Sequence, residues 1–397
     1  DLFYHTPLKF NYGGRAIRGC LDVMIIGETR TGKSKTAEAL LKMYEIGVFL
    51  SLKTATEVGL IGGSKTVNGS WKNTIGAIPR NNRGAVIMEE FQGAPPTFIK
   101  KLTDIRSSNT IRIARADGEL VAESLVRMLT LSNQASSKFG TKALRGYPNG
   151  IEVVRELVGA NEDISRYDFF TLVEEPENYT SPFAEVDMLE AFDRKAYQDR
   201  VRWVWSRKPD QILFENGSDR YIWQKAEELN SIFNCHIKFF GSEADLKLAR
   251  VAVALAGCLC STDESCENII VKKEHVDWAC QFMRNLYDNR LFRLREYAEE
   301  ERSYAYIDEA GTKALQDIFL GNTVLLEQLE NSSSSNRQNL QSISGLESTA
   351  FSTVINDLTR LKFIRFINDR IEPTERFRKG MRQIQRYNTP PIHGERR

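Results

Sequence analysis

Residues 27–34 read GETRTGKS, with a glycine at each end of the loop and a Lys-Ser pair after the second. Glycine at both ends lets successive backbone N–H groups turn inward around phosphate oxygens. In that chemistry Lys33 reaches the β- and γ-phosphates of ATP and Ser34 ligates Mg2+. The candidate nucleotide-binding set is Gly27, Glu28, Thr29, Arg30, Thr31, Gly32, Lys33, Ser34 and Lys35. The loop follows the apolar run LDVMIIG and precedes the helical KTAEALLKMY. That is the strand-then-helix context in which a helix N-terminus adds its own positive field.

Hydrolysis also needs one carboxylate near the metal and a second to orient the attacking water. AVIMEEF (85–91) ends an apolar strand in Glu89 and Glu90, and adjacent residues at a strand's end can supply both. Standing alone, an acidic pair at a strand end is ordinary surface; after a phosphate loop it is a catalytic candidate. VRMLTLSNQ puts Asn133 at the end of another strand, where its amide could hold the water or simply begin a turn. SRYDFF places Arg166 before a further strand, free to reach a neighbouring subunit's ATP or to pair with Asp168. Arg250, in LKLARVAVAL, is either a nucleotide contact or a solvated residue on an amphipathic helix.

These residues need a scaffold. Strand-like runs at 21–27, 85–88, 126–133 and 169–175 alternate with helical stretches, which predicts an α/β P-loop core over residues 1–176, a parallel sheet covered by helices. PENYTSPF (176–183) reads as a break, and the apolar spacing over 186–294 predicts an all-α domain, taken as residues 177–303. From 304 to 380 the pattern predicts a helix (312–329), a serine-rich turn, two further helices and a two-stranded ribbon. That is the outline of a winged-helix domain. Residues 381–397 read as a basic tail, frayed at its end.

Composition sets limits. The chain has 397 residues, 41% hydrophobic and 27% charged, which suits a buried core. The formal net charge of +1 leaves nucleic-acid affinity to local patches. One such patch is residues 58–84, glycine-rich with Lys65, Lys72, Arg80 and Arg83 and no acid. Trp71 within it could stack on a base or anchor the loop. No run of apolar residues is long enough to span a membrane. The six cysteines suggest a reducing compartment, cytoplasmic in a prokaryotic or phage setting and nuclear in a eukaryote. Cys258, Cys260 and Cys266 with His275 could form a zinc site, although buried free cysteine is the commoner reading. The chain opens on Asp1 rather than Met, as a fragment of something longer would.

The order of phosphate loop, long insert, EEF, hairpin, Asn, SRYD, helical stretch and winged helix resembles the AAA+ minichromosome maintenance (MCM) helicases, over roughly residues 12–379. EVGLIGGSKTVNGSWKNTIGAIPRNNRGAVIMEEF resembles the family's helix-2 insert, and IRSSNTIRIARADGELVAESLVRMLTLSN its pre-sensor-1 hairpin, with Arg112 on one strand and Arg115 near the tip. SRYDFF resembles the arginine-finger motif and LARVAVALA the sensor-2 helix, so the resemblance gives Arg166 and Arg250 those roles. It implies a hexameric ring, an α-helical lid over residues 177–303, and movement along single-stranded or forked DNA, 3′ to 5′. Lys65, Lys72, Arg112 and Arg115 are then the DNA contacts. Departures are Gly32 in place of alanine, Glu89 in place of the metal-associated aspartate, and the lack of an N-terminal oligonucleotide-binding, zinc-bearing module in the sequence. They resemble MCM-like helicases of mobile elements or phages, whose motor joins other N-terminal modules or replication partners. The competing reading is an AAA+ switch or DNA-binding regulator that remodels a protein partner without unwinding DNA.

Overall fold

The computed structural model describes residues 1–67, 70–115, 118–137, 140–141, 143–175, 193–367 and 370–388. Side chains of residues 64–72, 96, 114–118, 136–142, 305 and 385–397 lie outside that description, as does the break expected at 176–183. The chain divides into two compact units, Asp1–Arg295 and Glu296–Arg397.

The first unit opens with a hairpin, β1 (Lys9–Tyr12) and β2 (Arg15–Arg18). β3 (Asp22–Gly27) then leads into α1 (Lys33–Tyr44), and β4 (Val48–Ser51) follows. After α2 (Glu57–Leu60) comes a second hairpin, β5 (Gly62–Val67) and β6 (Ser70–Ile75), then α3 (Ala77–Arg80). β7 (Ala85–Glu89) and α4 (Pro96–Ser108) precede a third hairpin, β8 (Thr110–Arg115) and β9 (Gly118–Glu123). β10 (Arg127–Ser132), the two-residue strands β11 (Ser136–Ser137) and β12 (Gly140–Thr141), α5 (Gly150–Val158), α6 (Asn161–Ser165) and β13 (Phe169–Val173) complete this stretch.

β13, β3, β10, β7 and β4 form one sheet in that order, every pairing parallel. Strands covered on both faces read as continuous apolar runs. AVIM in β7 and all six residues of β10 are buried accordingly. Because parallel strands all point one way, their C-terminal ends share an edge, and the residues following them converge. Val173 is level with Gly27, Ser132 with Ile26, and Met88 with Thr130, so the edge is flush.

Four longer helices follow: α7 (Arg194–Ser206), α8 (Ser218–Phe233), α9 (Ala244–Cys258) and α10 (Lys273–Tyr287). LKLARVAVALA is apolar on nearly every face, so α9 must be central, and it packs against both α8 and α10. This region is not all-α. ILF and IIV form short parallel strands, β14 (Ile212–Phe214) and β15 (Ile269–Val271). Three apolar residues in a row fit a helix stripe as easily as a strand, which is why periodicity missed them.

In the second unit, α11 (Leu294–Ala305) spans the division and α12 (Glu309–Gly321) follows. The single helix expected over 312–329 is broken at Asn322, where α13 (Thr323–Glu330) starts. The two-residue β16 (Ser335–Asn336), α14 (Arg337–Ser344), α15 (Ser348–Arg360), β17 (Ile364–Ile367) and β18 (Arg370–Pro373) come next. The ribbon β17–β18 gains a third strand, β16, beside β18. The basic C-terminal stretch is helical through α16 (Glu375–Asn388), past the boundary expected at 380; residues 389–397 lie outside the described residues. α16 buries Phe377, Met381 and Ile384 in a core with Leu315, Leu326, Phe351 and Phe363. No helix among the described residues is long and apolar enough to cross a membrane.

Candidate functional site

The phosphate loop leaves β3 at Gly27 and enters α1 at Lys33. A Cβ on Gly27 would lie 2.5 Å from the Val173 carbonyl oxygen, so the neighbouring strand dictates glycine there. Arg30 (φ 67) and Gly32 (φ 82) sit in the left-handed region. Such residues turn backbone N–H groups inward to make an anion-binding concavity. Glycine adopts that geometry without cost, so Gly32 relieves the strain an alanine would bear.

Lys33 is folded back over the loop. Its Nζ donates to the carbonyls of Gly27 (2.8 Å) and Glu28 (2.6 Å) and to Thr31 Oγ1 (3.1 Å). Burial holds its pKa below the ordinary lysine value, with the Glu28 carboxylate acting against that. The Glu28 carboxylate accepts two distant backbone N–H groups, Leu144 (3.0 Å) and Glu175 (3.2 Å). Ser34 lies half-buried in the first turn of α1, while Thr29, Arg30 and Lys35 are exposed.

Glu89 closes β7 and Glu90 follows in a left-handed conformation (φ 58). Non-glycine residues pay for that conformation and cluster at functional sites. Glu90 Oε2 accepts a 2.7 Å hydrogen bond from the Ser51 hydroxyl, and Lys53 stands 3.9 Å from Oε1. Asn133 follows β10, its backbone N–H donating to Gln92 Oε1 at 3.2 Å, and Ser132 Oγ donates to the same oxygen at 3.1 Å. Gln92 thus joins the ends of β7 and β10. Neither Ser51 nor Gln92 carries a motif; their position beside the acidic pair and Asn133 is the only signal that could have found them. Strands in this sheet lie about 4.8 Å apart. The phosphate loop, Asn133 and Glu90 therefore sit on successive neighbours of one edge.

Arg166 and Arg250 are brought together elsewhere. Arg166 precedes β13, and Phe169 is level with Val23, four residues before Gly27. Four strand residues are about 13 Å. Arg250 donates to Asp168 Oδ1 at 2.6 Å and to the Arg18 carbonyl at 3.0 Å, while Asp168 Oδ2 accepts the Asp22 N–H at 2.7 Å. Asp22 begins β3, five residues (about 16 Å) from Gly27. Both arginines therefore stand at the edge of the sheet opposite their own phosphate loop. The local Arg166–Asp168 pair is not formed, since Asp168 is taken by Arg250, and Arg166 instead faces Glu243 at 3.6 Å. Nor is Arg250 a solvated surface residue: its side chain is 13% exposed.

A cavity of about 270 Å³ at this edge is lined by Arg15, Arg18, Arg106, Arg166 and Arg250 with Asp168 and Glu243. Arg106 is buried against Asp22. Five arginines face three carboxylates, an excess of positive charge that suits an anion.

The remaining candidates lie on the hairpins. Lys65 and Lys72 are cross-strand partners in β5–β6, and Arg115 ends β8 opposite Gly118. The side chains of Lys65, Lys72, Trp71 and Arg115 lie outside the described residues. Arg112 is exposed and 3.7 Å from Glu119. Among the described residues no three His, Cys, Asp or Glu cluster as a metal site would require. His275 Nδ1 accepts the Lys272 N–H at 3.0 Å, so the ring caps α10. Cys260 and Cys266 are exposed rather than buried.

Comparison with known proteins bears on the first half of the chain. The sequence is similar to DNA replication licensing factor MCM4 of Arabidopsis thaliana, 21% identical over 170 residues, which is 42% of this chain. The matched stretch spans 19% of that protein's length. Residues 5–180, which contain the whole parallel sheet and both of its edges, match the family model of the MCM P-loop domain, and support an MCM-like P-loop ATPase domain in this part of the chain.

Proposed function

We propose that this chain is the ATP-driven motor of a DNA helicase or translocase, working in DNA replication as a homohexameric ring. The observation that carries this reading is the separation of the catalytic parts. The phosphate loop, acidic pair and Asn133 occupy one edge of the sheet, and Arg166 and Arg250 the other. A single copy cannot apply both edges to one nucleotide. Head-to-tail packing of identical copies can, and such heterologous contacts close into rings where the rotation between neighbours closes.

The donor set fits a magnesium nucleotide: Ser34 in the first turn of α1 and Glu89 at the end of β7 offer the hard oxygen ligands Mg2+ prefers. Bound Mg-ATP supplies the phosphoanhydride whose cleavage drives the cycle. Lys33 exchanges its carbonyl partners for phosphate oxygens, and the loop N–H groups cradle the rest. Glu90, once released by Ser51, orients the attacking water and takes its proton on Oε2. Asn133 fixes that water near the γ-phosphate. A neighbour's Arg166 neutralises the charge that develops as the bond breaks, with Arg250 beside it.

The cationic hairpin β5–β6, with Lys65 and Lys72, and the hairpin β8–β9, with Arg112 and Arg115, suit contacts to a phosphate backbone in a central pore. Helices α7 to α10 fit a lid over residues 177–303, and the helices and ribbon of residues 304–380 fit a winged helix contacting DNA or protein. Gly32 and Glu89, where the cellular family carries alanine and aspartate, fit an origin among mobile elements or phages.

The test is ATPase activity and strand separation by the full chain, with single-stranded and forked DNA, beside Lys33→Ala. We expect hydrolysis to rise with DNA and both activities to vanish in the variant. ATPase indifferent to DNA, with no unwinding, removes the helicase and leaves an AAA+ switch acting on a protein partner.

A further inference from the structure

Resting on that shared-site reading, we infer that Glu243 is a positioning residue that restrains Arg166 until a neighbour's nucleotide competes for it. Arg166 and Arg250 line the same cavity yet are held differently. Arg250 is a fixed post, 13% exposed, bonded at 2.6 Å to a carboxylate that is itself anchored on the Asp22 N–H. Arg166 is 31% exposed and faces Glu243 at 3.6 Å, beyond hydrogen-bonding distance, and Glu243 is 43% exposed. The Nε of Arg166 is buried with no hydrogen-bond partner, so the guanidinium is incompletely satisfied where it rests. It also has room to move. Besides the 270 Å³ cavity it lines another of about 510 Å³ with Asn230, Asn234, Lys238 and Glu243, and Glu243 lines both.

A half-exposed ion pair at this distance is weak enough to exchange. A triphosphate entering from a neighbouring copy offers several negative oxygens and full hydrogen bonding, which a guanidinium prefers to one distant carboxylate. Glu243 also offsets part of the cavity's positive charge when no neighbour is present. It does so from the residue preceding α9, the helix that carries Arg250. The buried Lys247, one turn further on, donates to the Phe239 carbonyl at 2.5 Å and also lies within the field of Glu243.

The experiment measures ATPase rate against protein concentration for wild type, Glu243→Gln and Arg166→Ala, at low and high salt. Gln keeps the shape at a half-exposed site and removes the charge. In Glu243→Gln we expect the concentration giving half-maximal activity to fall roughly two- to fivefold, the range of such a pair. The rate at saturating protein stays unchanged. The advantage shrinks toward nothing at high salt, where the wild-type pair is screened, a response that a loss of packing would not give. If Arg166→Ala abolishes ATPase but Glu243→Gln matches wild type or needs more protein, the restraint is overturned and the shared site stands. If Arg166→Ala keeps wild-type activity, the shared site falls and Glu243's role with it.

Discussion

At the C-terminal ends of β3, β10 and β7 the chain gathers Lys33, Asn133 and Glu90; at the N-terminal ends of β3 and β13 it gathers Arg18, Arg166 and Arg250. The first edge is built on loops that turn sharply at Arg30, Gly32 and Glu90, each following a strand end. The second is built on long cations balanced by carboxylates of the same chain. The contrast separates two arrangements of charge. One edge holds Lys33 on backbone carbonyls of its own loop, while the other stores positive charge in ion pairs with carboxylates of its own chain.

The strongest way to break this comparison is at the arginine edge. On the shared-site proposal, Arg166→Ala lowers ATPase by about 10³-fold or more while leaving nucleotide binding by the single chain intact, since the lost group would act on another copy's nucleotide. Mixing that variant with Lys33→Ala should then restore activity neither has alone, as boundaries combining an intact loop with an intact arginine form, about a quarter of those in a random ring. Titrating one inactive protein with the other measures it. No recovery would mean that both edges serve a single chain.

A smaller effect concerns how the charge store is held. Burial pushes Lys247 down to about 8 from 10.5, with Asp168 opposing. Between those values the unfolded chain holds the proton that the folded chain has released. Stability therefore rises as pH climbs from about 8 toward 10.5, by up to about 3 kcal/mol. Urea unfolding at several pH values, compared with Lys247→Met, should show the rise in wild type alone. A flat difference between the two proteins would contradict the buried cation.

The least effect is expected at the phosphate edge. Ser51→Ala frees Glu90 Oε2, so ATPase without DNA should rise roughly two- to tenfold, the span of an ordinary net hydrogen bond at a partly exposed site. Steady-state rates with and without single-stranded DNA decide it, and a fall in both would make Ser51 a required orienting group instead.

Sequence made the phosphate edge legible because its chemistry is local: GETRTGKS, EEF and Asn133 each sit where an apolar run ends. Four of the five sheet strands were readable from those runs. β4 was not, because VFLS is four residues after a glycine with no alternation to mark it, and so the Ser51–Glu90 contact was invisible. Gln92 was hidden in the same way, since its partners belong to a strand 40 residues on. The partners of the arginines were beyond reach for a further reason. Asp168 is two residues from Arg166, yet β13 turns it toward Asp22 and Arg250, a choice made by strand pairing rather than by spacing. In the second unit the helix pattern was clear, but the break at Asn322 and the helix α16 depend on what their apolar faces cover.

The carboxylate of Glu28 grips the backbone at Leu144 and at Glu175. One side chain of the phosphate loop therefore fastens two stretches remote in sequence, one beyond β12 and one beyond β13, so loss of the Glu28 carboxylate would release both at once.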